Sequence, residues 1–303
     1  MLRFIGFTFY KAGHDIQGVQ DTLFAIFMQA AIFPPLVNQI MPKFVSAREL
    51  YEVRERPSKY YSWRVFLLSN IVAELPYQIL MGVIVFSAWN YTVLGIQEVS
   101  RQGLVLLFIV QFFIWASTYA HMVASALPDA QTSAMLAIIM FILSLLFSGV
   151  LQPPELMPTF WLFLWRVSPM SYWISGIVST GLHGRQIVCA SSELSIFNPL
   201  KGETCAQYLQ PYLEKYHAPG YLLNPNATTG CEYCPLSVAD QFFSRAEVYY
   251  ADRWRNFALG WAYIGFNVIM TVVLYYLFRI GAARKLVRRF MKTRTETGLA
   301  NTL

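Results

Sequence analysis

Residues 102–128 read QGLVLLFIVQFFIWASTYAHMVASALP, a run without a single Asp, Glu, Lys or Arg. About 20 helical residues cross the ~30 Å hydrocarbon core of a bilayer, and a buried soluble helix is rarely this long without charge. Working outward, four more charge-free runs lie at 22–42, 75–97, 130–154 and 256–278. Inside lipid the backbone must satisfy its own hydrogen bonds, so open-ended spans are helices. The alternation of a β-barrel strand is absent. Composition agrees: 56% of residues are apolar and 13% charged, against a usual charged share of ~25%. Mean hydropathy is +0.42. The expected fold is an all-α integral membrane protein with five complete spans, near 22–42, 66–94, 103–127, 131–151 and 256–279. Met1–Tyr10, apolar but half a span long, reads as the outer end of a partial first span.

Charge placement orients these spans. The loop 43–64 carries Lys43, Arg48, Arg54, Arg56, Lys59 and Arg64, and the tail from Arg279 carries seven more Lys and Arg. The positive-inside rule puts both in the cytoplasm, so the C-terminus is expected inside and 152–255 outside. The net charge of +6 is then a membrane-orientation signal, and no nucleic-acid partner is expected. The tail 280–303 places Ile280, Ala283, Val287, Phe290 and Met291 on one helical face and basic residues on the others. That pattern suits an anchor on an anionic leaflet.

All four cysteines, Cys189, Cys205, Cys231 and Cys234, fall in the segment assigned outside, where disulfides persist. Cys231 and Cys234 are too close to pair with each other, so each is expected to reach back to Cys189 or Cys205. Spacing does not separate nested from crossed pairing; the nested form is preferred. A zinc or redox role for Cys231-Glu232-Tyr233-Cys234 is the lesser alternative, because no second close pair exists. Asn226-Ala227-Thr228 is a glycosylation sequon in the same loop. Residues 153–184 are apolar but broken by Arg166 and Pro169, and read as two short re-entrant or interfacial helices.

On the inner side, Ser46-Ala47-Arg48-Glu49 has the capping-box pattern, and Glu52 and Arg56 are spaced for an i, i+4 pair. Pro57 should end the helix near Arg56. A short charged helix over 47–56 is therefore expected, docking a cytoplasmic partner or else serving as a solvated connector. Pro34-Pro35 should kink the first complete span. Glu74, an intramembrane carboxylate, is a candidate functional group, with pairing to a loop Arg or Lys as the structural alternative. His121 is expected to pack rather than bind metal. There is no phosphate-cradling Gly-x-x-x-x-Gly-Lys-Ser/Thr loop and no hydrolase elbow or His-Glu-x-x-His motif. No catalytic residue, metal site or bound cofactor is assigned to this chain.

Several motifs resemble the second membrane domain of fungal pleiotropic-drug-resistance transporters, full-length members of the G subfamily of ATP-binding cassette (ABC) exporters. They are Leu50-Tyr51-Glu52-Val53-Arg54-Glu55-Arg56-Pro57-Ser58, Glu74-Leu75-Pro76-Tyr77-Gln78, Gly149-Val150-Leu151-Gln152-Pro153-Pro154 and Phe160-Trp161. Ser168-Pro169-Met170-Ser171-Tyr172, Thr204-Cys205, Asn226-Ala227-Thr228, Cys231-Glu232-Tyr233-Cys234 and Arg253-Trp254-Arg255-Asn256-Phe257 complete the set. Thr159 departs from the Gly expected before Phe-Trp. The resemblance implies a six-helix membrane domain, most of whose first helix is missing here, so the chain reads as a fragment of a longer gene product. It implies nucleotide-binding domains, a first membrane domain, lipid and small amphipathic compounds as partners, with ATP and Mg on the nucleotide-binding domains. It also implies residence in the plasma membrane. By the same resemblance, Glu49, Glu52, Arg54, Glu55 and Arg56 transmit nucleotide-domain motion. Phe27, Phe33 and Asn38 face a central cavity, and Leu145, Leu146 and Phe147 form an outer gate. The implied function is export of drugs, xenobiotics or lipids. Competing readings are a glycosylated scaffold or receptor, an inactive transporter fragment, and a membrane-embedded transferase or hydrolase.

Overall fold

The computed structural model describes residues 13–216 and 218–280, so the partial first span and the basic tail lie outside the described residues. The chain forms two compact units. Unit one holds residues up to Ala31, Val83–Ile109 and Ser144–Leu259; unit two holds Ile32–Gly82, Val110–Leu143 and the chain from Gly260.

The long helices are α1 (Ile16–Gln29), α2 (Phe33–Leu50), α3 (Trp63–Val93), α4 (Val99–Ala126), α5 (Ala130–Leu146) and, near the end, α10 (Arg253–Tyr275). A 3₁₀ turn at Ala30–Ile32 separates α1 from α2, and proline occupies the first turn of α2. The missing amides of Pro34 and Pro35 cannot extend the ladder backwards, so a break into two helices stands where a kink was expected. Among the described residues, four helical stretches are long and apolar enough to cross a membrane: Ile16–Glu55, Trp63–Val93, Val99–Ala126 and Tyr250–Ile280. The predicted span 131–151 is corrected. Its helix stops at Leu146 and, at 17 residues, is about 25 Å long. Beyond it Gly149 takes a φ of +89°, a left-handed conformation that ends helices.

In unit one, Asp15 caps α1 by accepting from the Gly18 amide at 3.0 Å. Glu193, far along the chain, accepts from the Ile16 and Gln17 amides at 3.1 and 2.8 Å. A carboxylate at orphan N-terminal donors is favourable, so the outer segment is tied to the start of α1. The broken apolar stretch forms α6 (Thr159–Val167) and α7 (Pro169–Gly181), hinged at Ser168. The Ser168 hydroxyl donates to the Ser144 carbonyl at 2.8 Å. Trp173 donates its indole N–H to the Phe108 carbonyl at 2.9 Å. A Cβ on Gly176 would lie 2.2 Å from the Phe108 ring, so any larger residue there would have to displace that ring from between α7 and α4.

The rest of the outer segment contains β1 (Ser195–Phe197), α8 (Cys205–Tyr216), β2 (Tyr221–Leu222), β3 (Cys231–Cys234) and α9 (Ala239–Ser244). The strands form an antiparallel sheet of order β1-β3-β2, with Phe197 opposite Cys231 and Tyr221 opposite Cys234. Disulfides join Cys189 to Cys234 and Cys205 to Cys231, the nested pairing. Both bridges anchor on β3, so the central strand is stapled to the chain before β1 and to the start of α8. Non-reducing peptide mapping is expected to recover these two bridges and no alkylatable thiol. Replacing Cys205 and Cys231 together by Ser is expected to cost about 2–5 kcal/mol, read as a lowered melting temperature. Native protein that alkylates at Cys231 or Cys234 would overturn the pairing.

In unit two the core is aromatic. Phe33 stacks on Phe141 at 4.0 Å and lies 5.6 Å from Trp115 and 5.9 Å from Tyr119. α10 joins α4 through Asn267, whose amide nitrogen donates to the Thr118 hydroxyl at 3.4 Å. Close approach is again built on glycine: a Cβ on Gly82 would meet the Val110 backbone at 2.9 Å.

Candidate functional site at the charged turn

The sequence from Ser46 to Trp63 folds within unit two. The predicted capping box is corrected, because Ser46 lies inside α2, which runs unbroken from Phe33 to Leu50. The helix then widens into a π-helical turn over Tyr51–Glu55, and the Arg56 amide donates to the Tyr51 carbonyl at 2.8 Å. So 47–56 is the end of a span rather than a helix of its own, although it stops where Pro57 implied. The Ser58 hydroxyl donates to the carbonyls of Arg54 and Glu55 at 2.9 and 3.0 Å. Lys59 takes a φ of +54°. Together these satisfy orphan carbonyls and turn the chain toward α3.

The site is built around Arg48, which is only 1% exposed. Its guanidinium donates to three carbonyls at the end of α4: Ala124, Leu127 at 2.9 Å, and Pro128. A helix C-terminus has unpaired carbonyls and the negative end of the dipole, and a planar five-donor fork suits it better than an ammonium. Arg279 adds a bond to the Leu127 carbonyl at 2.6 Å. Glu52 faces Arg279 at 3.9 Å and accepts from the Tyr275 hydroxyl at 3.2 Å. Arg56 reaches the Arg279 carbonyl at 3.5 Å. Glu55 accepts from the Tyr61 hydroxyl, and this bond holds the Tyr61 pKa up at about 12. Aromatic rings floor the layer: Tyr51 stacks on Phe66 at 4.6 Å and Trp63 on Tyr275 at 5.9 Å.

This arrangement divides the predicted coupling residues. Glu52 and Arg56 turn inward and join the turn to Tyr275 and Arg279, while Glu55 is bonded within the connection to Tyr61. Glu49 and Arg54 are exposed, beside Leu50 at 53% and Val53 at 79% exposure. At spacings of one, four and five, these four residues share one helical face. Sequence reading missed Arg48, Tyr275 and Arg279 as partners. Arg48 carried a signal: it follows Met41 and Phe44 on the buried stripe of α2 by i+7 and i+4.

The other predicted residues are placed as follows. Phe33 is fully buried among aromatic rings. Asn38 is exposed at a groove of about 460 Å³ with Pro42, Ala134 and Ile138. In unit one, Phe27 is half-buried on α1, and Leu145 and Leu146 form the last turn of α5. Phe147 lies just beyond α5, stacked on Trp161 at 5.2 Å. Next to it, Ser148 and Gly149 border a cavity of about 220 Å³ with Trp165, Tyr249 and Asn256. Glu74 accepts from the Gln78 amide nitrogen, one turn on, at 3.2 Å. His121 packs edge-on against Phe44 at 5.0 Å. Among the described residues no group of three His, Cys, Asp or Glu is placed to hold a metal ion. Asn226 is exposed in a turn.

A family model described as ABC-2 type transporter matches residues 1–182. Relatives include the ABC multidrug transporter atrI of Aspergillus fumigatus, 52% identical over 91% of this chain and 19% of its own length. The ABC multidrug transporter atrA of Aspergillus oryzae is 50% identical over 91% of this chain and 18% of its own length. The ABC-type transporter adrC of Penicillium roqueforti is 52% identical over 91% and 19%. The chain therefore spans about a fifth of the length of the curated relatives it matches.

Proposed function

We propose that this chain, which belongs to the ABC-2 type transporter family, is one membrane domain of an ATP-driven exporter of amphipathic drugs, xenobiotics or lipids. The observation that carries the reading is the charged turn, which offers an exposed face while its inward side chains grip the ends of α4 and α10. A push on Glu49, Leu50, Val53 and Arg54 is passed through Glu52 and Arg48 to two spans. That is the linkage needed for ATP binding elsewhere to bias a bundle between two arrangements, through contacts that differ between them. ATP and Mg belong to nucleotide-binding domains, and a first membrane domain completes the pathway. The protein resides in the plasma membrane with its C-terminus in the cytoplasm and Asn226 glycosylated outside. The multidrug names of the relatives support this substrate class.

Cells expressing the complete protein are expected to accumulate less of a lipophilic fluorescent dye than cells expressing a version without residues 16–280. Equal accumulation would favour the scaffold reading. Independently, an epitope in the exposed turn at 226–229 is expected to be reached by antibody on intact cells, and one after Leu303 is not. An N226Q variant is expected to lose a glycosidase-sensitive mass shift. Reversed accessibility would overturn the orientation.

A further inference from the structure

Unit one contains a second polar site, remote in sequence from the charged turn. A pocket of about 610 Å³ lies between the chain leaving α3, the turn after α7 and the residues before α1. Its lining includes Arg101, Arg185, His14 and His183, and no Asp or Glu. Arg101 donates one terminal nitrogen to the His183 carbonyl, while its Nε is buried without a hydrogen-bond partner. Arg185 donates to the Gly13 carbonyl at 3.1 Å and to His14 Nδ1 at 3.4 Å. These partners orient both guanidinium groups. Of the nearby carboxylates, Asp240 is engaged with His183 at 2.9 Å and the Gly184 amide at 2.8 Å, while Asp15 caps α1 and its charge also acts on Arg185. A buried, unpaired N–H of a charged group is costly and calls for an acceptor. Two arginines in one concavity suit the tetrahedral oxygens of phosphate.

The pocket's surroundings identify the source of that phosphate. Ile96, a lining residue in the α3–α4 connection, and Val99, at the start of α4, are 90% and 84% exposed. Tyr91, another lining residue, is exposed at the end of α3, where aromatic rings favour the bilayer interface. Val83 and Ile84 continue an exposed apolar face along α3, a path for acyl chains. We propose that this pocket binds a phosphate oxyanion supplied by a phospholipid headgroup at the membrane surface on the disulfide-bearing side. Gln97, whose Oε1 is also buried without a partner, offers an acceptor to a donor elsewhere on the headgroup. The proposal rests on the spans crossing a bilayer and not on export.

The test is native mass spectrometry of the membrane protein containing this chain, delipidated in mild detergent and exposed to phosphatidylcholine–phosphatidylethanolamine vesicles. Wild type is expected to retain a phospholipid, and Arg101→Gln to bind it about tenfold more weakly. Because Arg101 also holds the His183 carbonyl, Ile96→Glu is the second variant. Ile96 is exposed, so the change spares packing while placing a carboxylate at the pocket; it is expected to lose the lipid, whereas Ile96→Leu retains it. Equal phospholipid binding in wild type, Arg101→Gln and Ile96→Glu would overturn the site, as would equal binding of diacylglycerol, which lacks phosphate. Inorganic phosphate is the separate arm. If it raises the melting temperature of wild type but not of Ile96→Glu, and no phospholipid is retained, the oxyanion site stands and its lipid source is overturned.

Discussion

Replacing Arg48 by leucine is expected to destabilise the protein by about 3 kcal/mol or more, since several buried carbonyls lose their donor and each unsatisfied group costs about 1–3 kcal/mol. The guanidinium serves Ala124, Leu127 and Pro128 at once, so the loss falls on the end of α4 and the chain leading into α5. Arg48→Lys is expected to recover part of this, because an ammonium carries charge but not a planar fork. Lys43, exposed on the same helix, is the control: Lys43→Ala should stay within about 0.5 kcal/mol of wild type, as exposed substitutions do. Melting followed by fluorescence-detected size exclusion in detergent reads all three. An Arg48→Leu protein that melts with wild type would mean that the fork does not hold these spans.

The second large effect is functional and leaves stability alone. Reversing Glu49 and Arg54 together (Glu49→Lys with Arg54→Glu) alters an exposed face, and exposed ion pairs are worth only ~0–1 kcal/mol. Expression and melting should therefore match wild type. Dye export by the complete protein is expected to fall about tenfold or more, because juxtaposing like charges across an interface costs several kcal/mol and each 1.4 kcal/mol is tenfold. ATP hydrolysis should either fall with it or continue uncoupled. Val53→Asp should behave in the same way. Glu52→Gln and Glu55→Gln make the contrast: their side chains are bonded to Tyr275 and Tyr61, so melting should fall before transport is considered. If the face variants export and hydrolyse normally, the turn is a solvated connector and the coupling reading fails.

How much of this was legible beforehand differs by feature. Spans are the easiest to read, because lipid penalises charge along a whole helix and leaves a one-dimensional record in runs such as 102–128 and 256–278. The break at Pro34-Pro35 is equally local, since proline lacks an amide wherever it stands. The co-location of four cysteines narrowed the bridges to nested or crossed. The end of 131–151 was less legible. Its residues stay apolar past Leu146, and only the left-handed turn at Gly149 and the packing of Ser144 on Ser168 stop the helix.

From the sequence alone follow the membrane class, the helical spans and the basic inner loop, because hydropathy and charge are summed along the chain and need no neighbours. Only the tertiary structure decided which charged residues of 48–56 face inward, that Phe33 belongs to a core, that the cysteine pairing is nested across β3, and that Arg101 shares a pocket with Arg185. Those outcomes depend on which distant carbonyl, ring or strand arrives beside a side chain. An Arg written into a basic loop reads the same whether its guanidinium meets water or, as for Arg48, the last carbonyls of another helix.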